Sequence, residues 1–222
     1  MRARFVADVD SEQLLDPASA LWAGSETARL ELTGTPPGMQ PAYVQATWLG
    51  RSIGATDEVQ VSALHDGARL AFRLEWEDAR EDAALVDDDR FADAAAILLP
   101  STPEAPLITM GAPGAAVTAW YWRANDPGAR EIVAEGIGSS RTVALDSLRA
   151  AGRWQRGRWS VVIARALASE APGAVSRIRP GESIGFGVAV WEGGHAERAG
   201  LKSYSGPQWH ELSLDGLPVA RS

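Results

Sequence analysis

At 222 residues with 45% apolar side chains, the chain can bury a sizeable core and is too hydrophobic to be disordered. A net charge of −8 leaves no clustered basic surface for phosphates and so excludes a nucleic-acid partner. The absence of cysteine excludes disulfides, thiolate-bound zinc or iron–sulfur centres on this chain, and haem tethered through C-x-x-C-H.

No apolar run approaches the roughly 18 residues of a transmembrane helix, so no membrane span is expected. The opening M-R-A-R-F-V-A-D-V-D turns acidic before any apolar h-region, so no signal peptide is visible, and a cytoplasmic location follows if Met1 is the true start. Short alternating segments cut by 22 glycines and 13 prolines predict an all-β, mainly antiparallel β-sandwich with irregular loops and short helices. It is read as a single domain over residues 1–222, with the first ~14 residues extended.

Early in the chain, Phe5 and Val6 give an apolar start, and Asp16-Pro17 predicts an N-cap opening a helical turn that carries Leu21 and Trp22. Met39 lies in the turn P-P-G-M-Q-P, a poor place for a ligand unless that loop folds over a pocket. Val59, Val61 and Ala63, the turn Asp66-Gly67, then Leu70, Phe72, Leu74 and Trp76 alternate with other residues and predict a hairpin with one face on a core. The other face is expected to meet solvent or a partner, and His65 reads as a solvated turn residue. Glu75 to Asp93 is rich in carboxylates and invites a calcium reading. It lacks the D-x-[DN]-x-[DN]-G loop with a closing glutamate, so a solvated acidic loop is expected. Ala94 to Leu99 reads as a buried strand ended by Pro100, followed by a proline-rich connection, Ser101 to Pro106.

Leu107 to Trp122 is the stretch around which the rest is organised. Met110 is one of three methionines, and Gly111, Pro113 and Gly114 after it would let the backbone lie close to a flat ligand. On the strand that follows, Thr118, Trp120 and Trp122 share one face, and Val117, Ala119 and Tyr121 the other. That pattern suits a strand packed on one side by core and on the other by something large and flat.

Further turns or short elements are expected at Asn125 to Gly128 and Ser140 to Leu148. A second hairpin around Trp154 to Gly157 buries Trp159, Val161 and Ile163, and a loop follows over residues 168–175. Ser183 to Trp191 predicts a strand whose G-F-G-V-A-V is no dinucleotide fingerprint, since no helix follows it. The last strand is placed at Trp209 to Leu214. Between them, in a glycine-rich loop, lies Lys202, the only lysine among 21 basic residues. An amine can give up its proton and offer a lone pair, which a guanidinium cannot.

The pieces F-R-L-E-W-E-D, F-A-D-A-A-A-I-L-L-P, T-M-G-A-P-G with A-W-Y-W, G-R-W-S-V-V and V-A-V-W-E-G-G-H-A-E-R-A-G-L-K-S occur in order over nearly the whole chain. Together they resemble the haem b (gamma) subunits of type II DMSO-reductase-family molybdoenzymes, the group of ethylbenzene dehydrogenase, dimethylsulfide dehydrogenase, selenate reductase and chlorate reductase. The resemblance implies a sandwich of the carbohydrate-binding-module or DOMON type holding one non-covalent haem b per chain. It implies Met110 and Lys202 as axial iron ligands, with Gly111 and Trp120 lining the cofactor. It also implies no catalytic site on this chain, which would pass single electrons between an iron–sulfur (beta) subunit and an external carrier such as a c-type cytochrome. A molybdopterin (alpha) subunit would do the chemistry, and the complex would be periplasmic.

Two alternatives stay open at this stage. A DOMON-type cytochrome with methionine–histidine ligation would use His195, or less readily His210, in place of Lys202. A carbohydrate-binding module without haem would use some of the nine tryptophans as a sugar platform. A free-standing hydrolase is disfavoured, because three scattered histidines and no nucleophile elbow leave no nucleophile with a visible base.

Overall fold

The computed structural model describes residues 1–84, 90–126, 128–143, 147–168 and 178–218. The centre of the acidic stretch, Pro127 of the N-D-P-G turn, residues 144–146 and all but the first residue of the 168–175 loop lie outside the described residues. Elsewhere, segments with period-two patterning are strands, as the pleat requires. In chain order they are β1 (Arg2–Phe5), β2 (Thr27–Glu31), β3 (Thr33–Gly34), β4 (Glu58–His65), β5 (Arg69–Glu77), β6 (Ala94–Pro100), β7 (Gly111–Ala112) and β8 (Ala115–Arg123). There follow β9 (Ala129–Ala134), β10 (Arg141–Val143), β11 (Arg149–Trp154), β12 (Arg158–Ala166), β13 (Ser183–Trp191), β14 (Ser203–Tyr204) and β15 (His210–Leu214). Two short helices, α1 (Ser11–Leu15) and α2 (Ala42–Thr47), lie in the connections.

The hydrogen-bonded path β10-β9-β8-β6-β13-β15-β1-β4-β5-β12-β11 doubles back on itself as a β-sandwich. One layer is β11-β12-β5-β4, with β1 and β2 sharing the far edge of β4. The second is β10-β9-β8-β6-β13, with β14 and β15 sharing the far edge of β13. The short β1 joins them, running parallel to both β15 and β4.

Between the layers, Phe72, Leu74, Trp76, Trp159, Val161 and Ile163 meet Ile97, Leu99, Trp120, Trp122, Phe186 and Val188 in one core. Trp76 stacks on Trp159 at 6.2 Å and Trp122 meets Trp159 edge-on at 5.0 Å. Such pairs contribute about 0.5–1.5 kcal/mol beyond the area they bury. Gly152 on β11 makes room for them, since a Cβ there would lie 2.2 Å from the Trp122 ring. A fully buried ion pair, Arg165 Nη1 to Glu131 Oε1 at 2.8 Å, also crosses between the layers.

The hairpins β4–β5 and β11–β12, and strands β6, β13 and β15, fall where the patterning places them, but the N-terminal third differs. The first residues are not simply extended, because α1 follows β1, with Asp10 as its N-cap accepting from the amides of Glu12 and Gln13 at 2.8 and 2.9 Å. Asp16 ends this helix rather than opening the next turn. Its carboxylate accepts from Ala18 N, and Ser19 caps the turn Ala20–Trp22.

This segment lays Val6, Leu14 and Trp22 over Leu64, Ala71 and Val162. The hairpin face expected to meet solvent or a partner is therefore buried by the chain's own N-terminus. His65 is likewise not a solvated turn residue. Phe5 pairs with it across the β1–β4 ladder, the two rings lie 5.5 Å apart, and the side chain is fully buried. Desolvation holds its pKa below the usual histidine value, despite nearby Asp215 and Asp66.

Candidate functional site

Alternation along β6, β8 and β13 sends every second residue away from the core. On that outer side lie Ala94, Ala96, Leu98, Val117, Ala119, Tyr121, Ala189 and Trp191. The resulting floor is largely alanine, roofed by the chain's own loops through Ala105, Leu107, Met110, Tyr204 and Trp209. Gly187 is part of this design, because a Cβ there would come within 3.0 Å of the Leu107 side chain.

Met110 packs on the rim of this cluster, half-buried, at φ +56°. A left-handed residue with a Cβ costs on the order of 1 kcal/mol, so glycine or asparagine would sit there more cheaply. The conformation is fixed by Met110 N donating to Leu107 O at 3.0 Å, Gly111 N to Pro106 O at 2.8 Å and Gly136 N to Met110 O at 3.0 Å. Gly111 does not leave room for a ligand. At φ +89°, a Cβ on it would lie 2.7 Å from Ala134 O and 2.8 Å from Ala115 O, so its missing side chain serves the packing of the turn on β8 and β9.

Lys202 approaches the same cluster from the 192–202 loop. The loop is pinned by Thr35 N to Lys202 O at 3.0 Å, Gln40 Nε2 to Gly200 O at 3.1 Å and Trp191 Nε1 to Ala199 O at 3.0 Å. The Lys202 ammonium lies 5.3 Å from the centroid of the Trp191 ring, and among the described residues it has no hydrogen bond and no ion pair. Desolvation pushes its pKa down to about 8. Trp191 in turn meets Tyr121 edge-on at 5.4 Å. The structure thus brings Met110 and Lys202 to one alanine-floored face, and adds Trp191 and Tyr121, which sequence reasoning did not name as site residues. The readable signal for Trp191 was its alternation with Ala189 along β13.

Trp120 is not part of this face. It points into the inter-sheet core, fully buried, 6.0 Å from Phe72 and with the Arg165 guanidinium 4.7 Å above its ring. The reason is alternation: Trp120 pairs with Ile97 on the inward side, while Ala119 and Tyr121 face out. His195 and His210 are each engaged elsewhere by a ring nitrogen. His195 Nε2 is engaged with Ser52 O at 3.0 Å beside Trp48, and His210 Nε2 with Ser205 O at 3.0 Å beside Phe186. No tryptophan is among the exposed large hydrophobic side chains, although Trp154 and Trp209 are only half-buried.

The acidic stretch is solvated only in part where it is described: Glu77 and Glu81 are exposed, but three carboxylates are not. Asp78, Asp82 and Asp93 are 6%, 8% and 0% exposed, because the ends of β5, β6 and β13 close over them.

One thioether and one amine whose pKa desolvation lowers are a donor pair of the kind that ligates iron. A protein-family model described as ethylbenzene dehydrogenase matches residues 19–143 and 140–203, which include both Met110 and Lys202. The chain belongs to the ethylbenzene dehydrogenase family. Within this family it aligns with the gamma subunit of chlorate reductase from Ideonella dechloratans, 32% identical over 206 residues, covering 92% of this chain and 82% of the relative. It is also 28% identical over 197 residues to the gamma subunit of dimethylsulfide dehydrogenase from Rhodovulum sulfidophilum, covering 86% and 72%. A Haloferax mediterranei protein provisionally named as the haem subunit of a respiratory nitrate reductase is 29% identical over 208 residues, covering 93% and 71%.

This ethylbenzene dehydrogenase family member is therefore of the gamma type. Solved structures share its fold alone. A family 9 carbohydrate-binding module from Caldicellulosiruptor kristjanssonii in complex with glucose superposes with TM-score 0.54 at 12% identity, covering 98% of this chain and 96% of the other. A Bacteroides uniformis protein provisionally described as carbohydrate-binding superposes with TM-score 0.56 at 10% identity, covering 97% and 98%.

Proposed function

We propose that this chain is the b-type haem electron-transfer subunit of a molybdenum oxidoreductase, with Met110 and Lys202 as the two axial ligands of one non-covalent haem. The observation that carries the reading is the Lys202 amine, unpaired among the described residues over Trp191 on the same face as Met110. Deprotonating a free lysine at pH 7 costs about 4.6 kcal/mol, whereas an amine already pushed down to about 8 needs only about 1.4 kcal/mol. Burial thus readies the side chain to act as a neutral nitrogen donor.

Met110 supplies the soft donor from a backbone conformation that a methionine adopts only at a cost, which supports a role beyond filling space. The alanine floor keeps the outer face shallow, and Leu107 and Tyr204 on the roof exclude water from it. When bound, a haem with both axial positions filled supplies one-electron transfer rather than oxygen activation.

The gamma-subunit relatives support an assembly in which a molybdopterin alpha subunit carries catalysis and an iron–sulfur beta subunit exchanges electrons with this chain. An external carrier such as a c-type cytochrome takes the other end of the path, and the complex is periplasmic. The histidine alternative is disfavoured because the Nε2 atoms of His195 and His210 are each already engaged with a backbone carbonyl. The test is a haem titration of the full chain. Saturation at one haem per chain, with a Soret band and sharpened α and β bands on reduction, is expected; a chain that takes up no haem with that spectrum overturns the proposal.

A further inference from the structure

A second site lies at the end of the sandwich where β5, β6 and β13 finish or begin. Asp78 follows β5, Asp93 precedes β6 and Glu192 follows β13, and one carboxylate oxygen from each lies within 4.8 Å of the other two. Asp93 is fully used within the fold. Its Oδ1 accepts from Gly193 N at 2.9 Å, and its Oδ2 from Asp82 N at 2.8 Å and Trp159 Nε1 at 3.0 Å.

Asp78 is not fully used. Its Oδ1 accepts from Arg80 N at 3.0 Å, but its Oδ2, in a residue only 6% exposed, is shut off from solvent with no partner within hydrogen-bond distance among the described residues, the Trp76 indole being the nearby donor. Asp82 adds a fourth carboxylate. Its Oδ2 and Glu192 Oε1 crowd the same spot, 2.5 and 3.0 Å from where a Cβ on Gly194 would stand. Among the described residues, Arg80 sets a cation against these charges, its Nε 3.4 Å from Asp82 Oδ2 and its side chain 57% exposed, and His195 faces Glu192. A cavity of about 460 Å³, walled in part by Thr56, Asp78, Arg80, Glu192 and His195, opens beside them.

Such a cluster could be a proton-sharing group of acids, and burial with mutual repulsion does push Asp78, Asp93 and Glu192 above their usual values. A shared proton removes one charge, but a divalent ion offsets two and also gives the unpartnered Asp78 oxygen a ligand role. We propose that Asp78, Asp93 and Glu192 form a binding site for a hard divalent cation of calcium size. Three carboxylates converging on one point suit calcium, which takes several carboxylate oxygens, rather than magnesium, which keeps most of its waters and takes one or two. The ion would clamp the ends of three strands from both layers at the root of the loop that continues to Lys202.

The experiment uses the full chain stripped with EDTA, followed by thermal unfolding with and without Ca²⁺ and by titration with Tb³⁺. A saturable rise in Tm with Ca²⁺ is expected, together with Tb³⁺ emission sensitised by Trp159, whose indole bonds Asp93. Glu192→Gln keeps the side chain's size and should weaken Ca²⁺ by on the order of tenfold or more, because affinity follows the charge of the ligand set. Asp78→Asn is the second variant should the first not fold, and it is expected to behave alike. No Tm rise and no sensitised emission in the wild type overturns the proposal, as does wild-type Ca²⁺ affinity in the folded variant. The site and the haem reading stand or fall separately, since neither readout requires haem.

Discussion

The two faces of the layer β9-β8-β6-β13 are built from the same strands on opposite plans. Inward, Trp120, Trp122, Ile97, Phe186 and Val188 interlock with the facing layer and leave no spare surface. Outward, alanines from β6, β8 and β13 form part of a shallow floor, covered by loops that carry a left-handed methionine and an amine unpaired among the described residues. The first face has the arrangement of a core that sets stability. The second holds groups that cost stability, which is the usual mark of a site.

The comparison can be broken most forcefully from the inside. Trp120→Ala should cost about 3–5 kcal/mol in denaturant unfolding, whatever the state of the outer face. An intact midpoint would show that the inward face is not the core. On the outer face the sign reverses. Lys202→Met should leave the haem-free chain as stable as the wild type at pH 7 or raise it by about 1–2 kcal/mol, since a desolvated ammonium is removed.

That difference has a defined pH course. The folded amine titrates at about 8, against 10.5 for an ordinary lysine, so its burial cost is fully present below pH 8. Between those values the unfolded chain binds the proton more tightly, and the wild type gains stability relative to Lys202→Met as pH rises. Parallel stability curves from pH 7 to 10 would contradict a desolvated Lys202. The smallest stability effect belongs to Met110. Met110→Gly should change haem-free stability by less than about 1 kcal/mol while removing a ligand. Met110→His should keep haem and lower its midpoint potential, so an unchanged potential in redox titration argues against Met110 at the iron.

Some of this architecture was readable from the chain because it is local. Asp66-Gly67 between alternating runs specifies a hairpin, and period two splits β8 into a Trp120 face and a Tyr121 face. Which face meets the core was not readable, because the answer lies in the side of β6 and β13 that carries Ile97, Leu99, Phe186 and Val188. Burial of His65 escaped for the same reason. It is imposed by β1, paired from 60 positions away, Phe5 opposite His65. The carboxylates of the acidic stretch look solvated in sequence, yet Asp93 is enclosed by Gly193 and Trp159, 100 and 66 residues later. The buried pair Arg165 and Glu131 sits in strands whose patterning alone would call for apolar residues. Lys202 stands out in the sequence as the only lysine, and Met110 as a methionine ahead of Gly111, Pro113 and Gly114.

The central claim is that Met110 and Lys202 close on one haem, and the spectrum of the haem-loaded Lys202→Ala chain tests it most directly. The wild type should show a low-spin, six-coordinate spectrum with sharp α and β bands on reduction. The variant should lose that signature and become high-spin or five-coordinate. A wild-type spectrum in Lys202→Ala would contradict the account and move the second ligand to His195 or His210.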